Sequence, residues 1–304
     1  MWRWPGGAVA LAAAGLVLAA VVGAMRPAYS AVDHDVADLG KYPFFTMITA
    51  GTSSCAGTVV APDWVLTTAQ CMQDGAPEGV WLYLTNGRFV QAAEVITHPL
   101  FDGLPRNGHD LALLRTPAGS TTGITPPQVG SAWSEEPYTP ERPALRLGST
   151  GREGDSGGHL IRAVPMTIRA DDAVRLDYQR SYAAPQRWVG ELSIAAQRTD
   201  AALCPRERGD PLMVERDGRT IVIGVGSFTV PDCAMPQSFG ELSGSQLAWV
   251  AAHAPAVVSG WGPCTADGRP GVPGASYGDT QLRPEERTEG PWWWSITCVA
   301  RPLA

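Results

Sequence analysis

The sequence predicts an all-β protein with short strands and many turns. Its 304 residues include 34 glycines and 26 prolines, spread along the whole chain, and these residues favour frequent turns over long helices. Runs of aromatic and β-branched residues stand between the turns, as at residues 44–49, and such runs are typical of strands. Because 44% of the residues are apolar, the chain can bury a substantial core, and we expect one main domain with a small appendage.

Charge and cysteine spacing exclude several classes of ligand. Only 17% of the residues are charged, the net charge is −7, and arginine and lysine never form a basic block, so nothing attracts nucleic acid electrostatically. The six cysteines include no C-x-x-C pair that would suggest zinc. We therefore expect no nucleic-acid partner, no metal and no cofactor.

Residues 1–30 have the pattern of a secretory signal peptide. A positive charge near the start precedes an apolar stretch over residues 6–25, and Ala28-Tyr-Ser30 is a small-x-small cleavage site. Cleavage there makes Ala31 the first residue of a secreted, extracellular protein without a membrane attachment. Because the apolar stretch is nearly long enough to span a bilayer, an uncleaved anchor is the alternative. In either case six cysteines outside the cytoplasm favour disulfides.

The further strands and one helix follow in order. Residues 116–143, rich in Pro, Ser, Thr and Gly, predict a connection between two groups of strands. Leu247 and Val250 recur at helical spacing behind two serines, and Pro255 follows as a stop, which predicts a helix over residues 243–253. The strands that apolar runs predict are 80–84, 88–97, 143–148, 160–168 and 219–228.

Three segments resemble the trypsin-like serine proteases, the chymotrypsin-fold or S1-type family. Cys55–Cys71 follows the family's C-G-G-x-L-I-x-x-x-W-V-L-T-A-A-H-C almost residue for residue, and Asn107–Arg115 contains its N-x-D-I-A-L-L. Cys204–Leu212 resembles the nucleophile segment C-x-G-D-S-G-G-P-L. The resemblance extends over residues 31–254 and implies two six-stranded antiparallel β-barrels with a C-terminal helix.

Two catalytic positions that the resemblance identifies have lost their chemistry. It places the triad carboxylate at Asp110, but the general base at Gln70 and the nucleophile at Arg208. An oxyanion-binding glycine is replaced by Arg206. Glutamine cannot accept and return a proton near neutral pH, and protonated arginine is no nucleophile. The resemblance therefore implies a pseudoprotease, in which we expect the Gln70 side-chain amide and Ser227 to donate hydrogen bonds to Asp110.

The resemblance also assigns the specificity pocket and a pairing of the mature N-terminus. Ala202 falls at the base of the pocket, with Ser227 and Phe228 beside it, so the pocket is predicted to be neutral. In the family a freed N-terminus pairs with an acidic residue just before the nucleophile. Here that pair is Ala31 with Glu207, which signal-peptide cleavage would create.

A copy of the nucleophile signature stands in a different place. Gly154-Asp-Ser-Gly-Gly158 has no cysteine shortly upstream, and in the family alignment it falls in a surface loop of the second barrel, so we interpret Ser156 as a loop residue. The alternative is an active serine endopeptidase or hydrolase that uses Ser156 with a histidine brought in by the fold. His109 is a poor substitute base because adjacent residues on a strand face opposite sides.

Residues 255–304 lie beyond the resemblance and are predicted to form a small disulfide-stapled extension. Its tryptophans, Trp261 and the run Trp292–Trp294, either fill a mini-core or form a stacking platform for sugars. The expected disulfides, the first two implied by the family and the third left over, are Cys55 with Cys71, Cys204 with Cys233, and Cys264 with Cys298.

The sequence thus predicts a secreted, monomeric serine protease homologue that is catalytically inactive and acts by binding a protein or glycan. One alternative is the active enzyme that uses Ser156. The other is a C-terminal module that anchors the chain to cell-wall polysaccharide.

Overall fold

The computed structural model describes residues 37–73, 77–131, 135–149, 161–181, 188–199, 208–228, 235–257, 280–286 and 294–300. These residues form two large β-sheets, two α-helices and a separate hairpin. Within these ranges no helix is long and apolar enough to cross a membrane.

The first sheet is built from seven antiparallel strands. Their bounds are β1 Phe45–Ala50, β2 Ser53–Ala61, β3 Trp64–Thr67, β4 Val80–Leu84, β5 Phe89–Gln91, β6 Glu94–Thr97 and β7 Ala112–Arg115. They lie in the order β5-β4-β1-β2-β3-β7-β6. The edge strands β5 and β6 are two halves of one run of residues, which was predicted as a single strand.

A bend at Ala92 and Ala93 joins the two edges of this sheet. The backbone N–H of Ala92 donates to the carbonyl of Val80 in β4, and the N–H of Ala93 donates to the carbonyl of Arg115 in β7. The chain therefore passes from one edge to the other and curls the sheet into a barrel. Apolar side chains fill its interior, and the fully buried ones include Ile48, Val59, Val65, Leu66, Leu82 and Leu113.

The second sheet also has seven strands and closes into a six-stranded antiparallel barrel. Its strands are β8 Gln128–Val129, β9 Pro143–Ser149, β10 Ile161–Arg169, β11 Ser193–Arg198, β12 Pro211–Arg216, β13 Arg219–Phe228 and β14 Gln237–Glu241. Their order is β12-β9-β10-β11-β14-β13-β8, and the ring closes because β12 pairs with both β9 and β13. The short β8 joins β13 in parallel. The predicted all-β fold of two barrels is confirmed.

Two α-helices pack on this framework. The predicted terminal helix is α2, Gly244–His253. Ser243 stands at its N-cap position, but its hydroxyl donates to Glu241 and makes no capping bond. The sequence reading missed α1, Asp171–Ser181, although two acidic residues in its first turn and buried Val174 and Tyr178 at a spacing of four are helix signals.

Two further strands, β15 Thr280–Glu286 and β16 Trp294–Ala300, form an antiparallel hairpin within the C-terminal extension. The extension was predicted as a small disulfide-stapled module. Cys264 and Trp261 lie outside the described residues, so the pairing of Cys264 with Cys298 stays a prediction.

Candidate active site

Asp110 is the centre of the candidate site. Its side chain is 1% exposed, in the loop just before β7. Oδ1 accepts the backbone N–H of Gln70 at 2.7 Å, and Oδ2 accepts the hydroxyl of Ser227 at 2.6 Å. Both carboxylate oxygens thus have a donor without any imidazole.

Burial dominates the ionisation of this carboxyl group. It raises the pKa of Asp110 to about 6, against the lowering effects of the Ser227 hydroxyl, the Gln70 N–H and the charge of Arg208. Desolvation disfavours the charged form of an acid. The carboxylate therefore becomes protonated only a little below neutral pH.

Gln70 contributes its backbone to the site, and here the expected side-chain contact is wrong. The residue lies in the 3-10 turn Ala69–Met72, which directly follows β3. The disulfide between Cys55 and Cys71, with Cα atoms 6.5 Å apart, fixes this turn against β2. The turn aims the N–H of Gln70 at Asp110, and that geometry is independent of the side chain at position 70.

Arg208 is exposed, and its backbone is joined to the first barrel. Its carbonyl accepts the N–H of Ala56 at 2.8 Å. The next residue, Gly209, has a φ of 90° and packs so closely that a Cβ atom there would lie 1.9 Å from the carbonyl oxygen of Ala56. This close packing places the charge of Arg208 near enough to lower the pKa of Asp110.

A buried polar cluster beside the site was missed by the sequence reading. Nε of Arg146 lies 3.6 Å from Oδ2 of Asp210, and both residues are 1% exposed. The Arg146 guanidinium also donates to the side-chain oxygen of Gln237 at 2.7 Å. Its one signal in the sequence is an arginine in the middle of the apolar run 143–148. The partners are 64 and 91 positions away, so the sequence alone does not reveal them.

Phe228, a predicted pocket residue, is covered from one side by α1. Its ring lies 6.1 Å from the ring of Tyr178 on that helix. Tyr178 also packs edge-on against Trp188 and donates its hydroxyl hydrogen to the carbonyl of Pro236. The wall beside Ser227 is therefore aromatic.

The histidines of the described region lie in one group of packed rings. His109 stacks on His98 with ring centroids 4.6 Å apart, His98 lies 4.8 Å from Trp249, and Trp249 lies 5.0 Å from His253. We call these four residues the histidine stack. His109 uses its ring in the stack and occupies a backbone conformation with φ of 57°. It is therefore turned toward His98, and in the described region no histidine is among the hydrogen-bond partners of Asp110.

The structure brings together four of the predicted positions: Gln70, Asp110, Arg208 and Ser227, with Phe228 at the border. The remaining ones lie outside the described residues and stay predictions: Ala31, Ser156, Ala202, Cys204, Arg206, Glu207 and Cys233. In the described part no group of three or more His, Cys, Asp or Glu side chains is arranged to hold a metal ion.

Two antiparallel β-barrels, with a buried aspartate from the first barrel hydrogen-bonded to a serine of the second, define the chymotrypsin class of fold. The family model described as Trypsin matches residues 31–250. The chain belongs to the trypsin family.

Individual relatives are distant or only partly matched. Rat coagulation factor XII is 38% identical over 85 residues, which are 25% of this chain and 14% of that protein. Human serine protease 56 is 36% identical over 216 residues, covering 65% of this chain and 34% of that protein. The chain therefore spans only a minor part of these relatives. Among solved structures, the scabies mite inactivated protease paralogue S-D1 matches with a TM-score of 0.57 and 17% identity, over 75% of this chain and 97% of that one.

Proposed function

We propose that this chain is a catalytically inactive member of the trypsin family that acts outside the cell by binding a protein or glycan. The observation that supports this proposal is the engagement of Asp110. Its two oxygens accept hydrogen bonds from the Gln70 backbone and from Ser227, and in the described part of the chain no histidine ring bonds to it. Peptide hydrolysis by this fold needs a base that takes the nucleophile's proton, and glutamine at position 70 cannot do so.

The residue at the nucleophile position also supports catalytic inactivity. The backbone of Arg208 is held next to the first barrel by its bond to Ala56 and by the tight packing of Gly209. A guanidinium group offers no nucleophilic lone pair to a carbonyl carbon. One of the similar solved structures is itself described as an inactivated protease paralogue, which makes inactivity within this fold a reasonable expectation.

Location outside the cell rests on the N-terminal pattern and on the disulfide between Cys55 and Cys71, because disulfides persist in oxidising compartments. N-terminal sequencing of the protein from a secreting host tests this part. A start at Ala31 supports both cleavage and the predicted pairing with Glu207, and retention of residues 1–30 contradicts them.

A fluorophosphonate probe tests inactivity directly. The purified mature protein is incubated with the probe beside trypsin, and we expect no covalent labelling. The Ser156→Ala variant serves as the matched control for the alternative reaction. Labelling of the wild-type protein that disappears in Ser156→Ala would overturn the proposal in favour of an active hydrolase.

Binding to glycans is tested with the full chain. Replacement of Trp292, Trp293 and Trp294 by alanine should abolish pull-down on insoluble polysaccharide if the extension is an anchor. If the triple variant binds as well as the wild type, the anchor alternative fails and a protein ligand is favoured.

A further inference from the structure

A groove lies at the junction of the two barrels, and its charged residues take no part in the function proposed for the site around Asp110. It has a volume of about 680 Å³, within the range of about 300–1,000 Å³ that is typical of ligand sites. Residues from both barrels, from the connection before β8 and from the segment after α2 line it. We call it the junction groove, and the residues that matter for its chemistry are Lys41, Pro62, Pro126, Pro127, Gln128 and Arg219.

Its charged lining is purely cationic. Lys41 and Arg219 are its charged lining residues, and none of the described residues that line it is Asp or Glu. This is unexpected in a chain with 30 acidic and 23 basic residues. A cleft lined by one sign of charge focuses the field and attracts the opposite sign.

Both cations are available to a ligand. Within the described residues neither forms an ion pair, and the ammonium of Lys41 lies 5.3 Å from the centre of the neighbouring Tyr42 ring. Arg216 stands across the hairpin from Arg219, and the nearby Glu215 accepts the hydroxyl of Thr220, its own cross-strand partner, at 2.9 Å. The groove therefore keeps its positive potential.

The walls and the floor favour an extended chain. Prolines form much of the walls, and their fixed φ makes the surface rigid before binding. Gln128 belongs to β8, the last strand of its sheet, which in the described pairings contacts β13 alone. An edge strand can pair with an added segment, but the two preceding prolines offer no N–H, so only a few backbone hydrogen bonds can form. Apolar contacts and the two cations must supply the rest.

We propose that the junction groove binds an extended acidic segment of a partner protein, with Asp or Glu side chains on Lys41 and Arg219 and apolar side chains against the prolines. The residues of the junction groove are not those of the site around Asp110. The proposal for the groove therefore does not depend on whether the protein is catalytically inactive. Ion pairs at such an open site weaken as salt rises.

Selection from a displayed random heptapeptide library on the immobilised full-length protein tests the proposal. We expect enrichment of Asp and Glu beside apolar residues. A selected peptide should bind the Lys41→Gln/Arg219→Gln variant about tenfold more weakly than the wild type, since the variant loses two solvent-accessible ion pairs. Affinity for the wild type should also fall between low and high salt.

The matched control is Arg115→Gln/Arg175→Gln, which removes the same charge from side chains that are 60% and 49% exposed and that do not line the groove. It should retain wild-type affinity. Selected peptides without acidic bias, or equal binding to both double variants, would refute the groove as an acidic-segment site. Neither result changes the outcome of phosphonate labelling, so the two proposals fail separately.

Discussion

The hydroxyl of Ser227 donates a hydrogen bond to Oδ2 of Asp110 over 2.6 Å, and this bond joins β13 of the second barrel to the loop before β7 of the first. Together with the N–H of Gln70, it provides each oxygen of the buried carboxylate with a donor. A buried acceptor that loses its partner bears its full desolvation penalty. The bond therefore has a structural role that is open to measurement.

Ser227→Ala should destabilise the protein by about 1–3 kcal/mol at pH 7.5, because Oδ2 of Asp110 loses its donor. The same change should raise the pKa of Asp110, since the lost bond favours the charged form. Urea unfolding measures the first effect. Ser238→Ala is the matched control, because its hydroxyl is buried on the neighbouring strand without a hydrogen-bond partner among the described residues. Equal losses in the two variants would contradict the assigned role.

Asp110→Asn should stabilise the protein at pH 7.5. The pKa of Asp110 is raised from 3.8 to about 6 in the folded state, so the folded protein binds more protons than the unfolded chain between these values, and stability falls as pH rises through them. Above pH 6 the difference amounts to roughly 3 kcal/mol. An asparagine oxygen can accept from Gln70, and its amide can donate to Ser227.

The gain should therefore be about 1–3 kcal/mol at pH 7.5 and should vanish near pH 4, where the native carboxyl group is protonated. Unfolding curves at the two pH values measure it. A variant that is less stable than the wild type at pH 7.5 would show that the ionised carboxylate stabilises the fold.

The histidine stack should make the protein sensitive to acid. Burial, with further lowering by His109 and His253, depresses the pKa of His98 from 6.5 to about 3. The pKa of His109 is also lowered by burial, against an opposing effect of Asp102. Since His98 stays neutral when folded, its contribution is fully present above pH 6.5 and is lost as pH falls toward 3.

The free energy of unfolding should drop by up to about 1.4 kcal/mol per pH unit through His98 alone. His98→Gln should flatten this part of the profile relative to the wild type. Chemical denaturation from pH 7 to pH 4 provides the comparison. An unchanged slope in His98→Gln would show that other groups cause the acid sensitivity.

Gly209→Ala should disrupt the packing of residues 208 and 209 against the first barrel. A Cβ atom there would lie 1.9 Å from the Ala56 carbonyl, and the φ of 90° is itself unfavourable for alanine. Gly218→Ala separates the steric clash from the cost of a positive φ. Gly218 has a φ of 72°, and a Cβ atom there would meet no atom within 4 Å. We expect the control to cost about 1 kcal/mol and Gly209→Ala to cost several times more in thermal or urea unfolding.

The sequence predicted those parts of the site that depend on local spacing. Gln70 and Asp110 were found because each stands in a short segment whose cysteines or apolar residues fix the register. The helix α1 was overlooked, since its buried face is narrow and its mean composition is polar. The cluster of Arg146, Asp210 and Gln237 depends on strand pairing between distant segments, which no local pattern encodes.

The hydrogen bond from residue 70 to Asp110 illustrates a second limit of prediction from the sequence. The residue was predicted correctly as a neighbour of Asp110, but the donor is the backbone and not the side chain. Which of two nearby donors reaches an acceptor depends on the geometry of a single turn. Here the disulfide at Cys71 sets that geometry, and residue types alone do not specify it.

The backbone origin of that bond has a consequence for how the surface of this protein can vary. Every residue except proline offers the backbone N–H that Asp110 accepts from position 70, and Arg208 is held through its own carbonyl and the adjacent glycine. The side chain of Arg208 still acts on the site through its charge, which lowers the pKa of Asp110. The two positions can therefore present different side chains on one backbone framework.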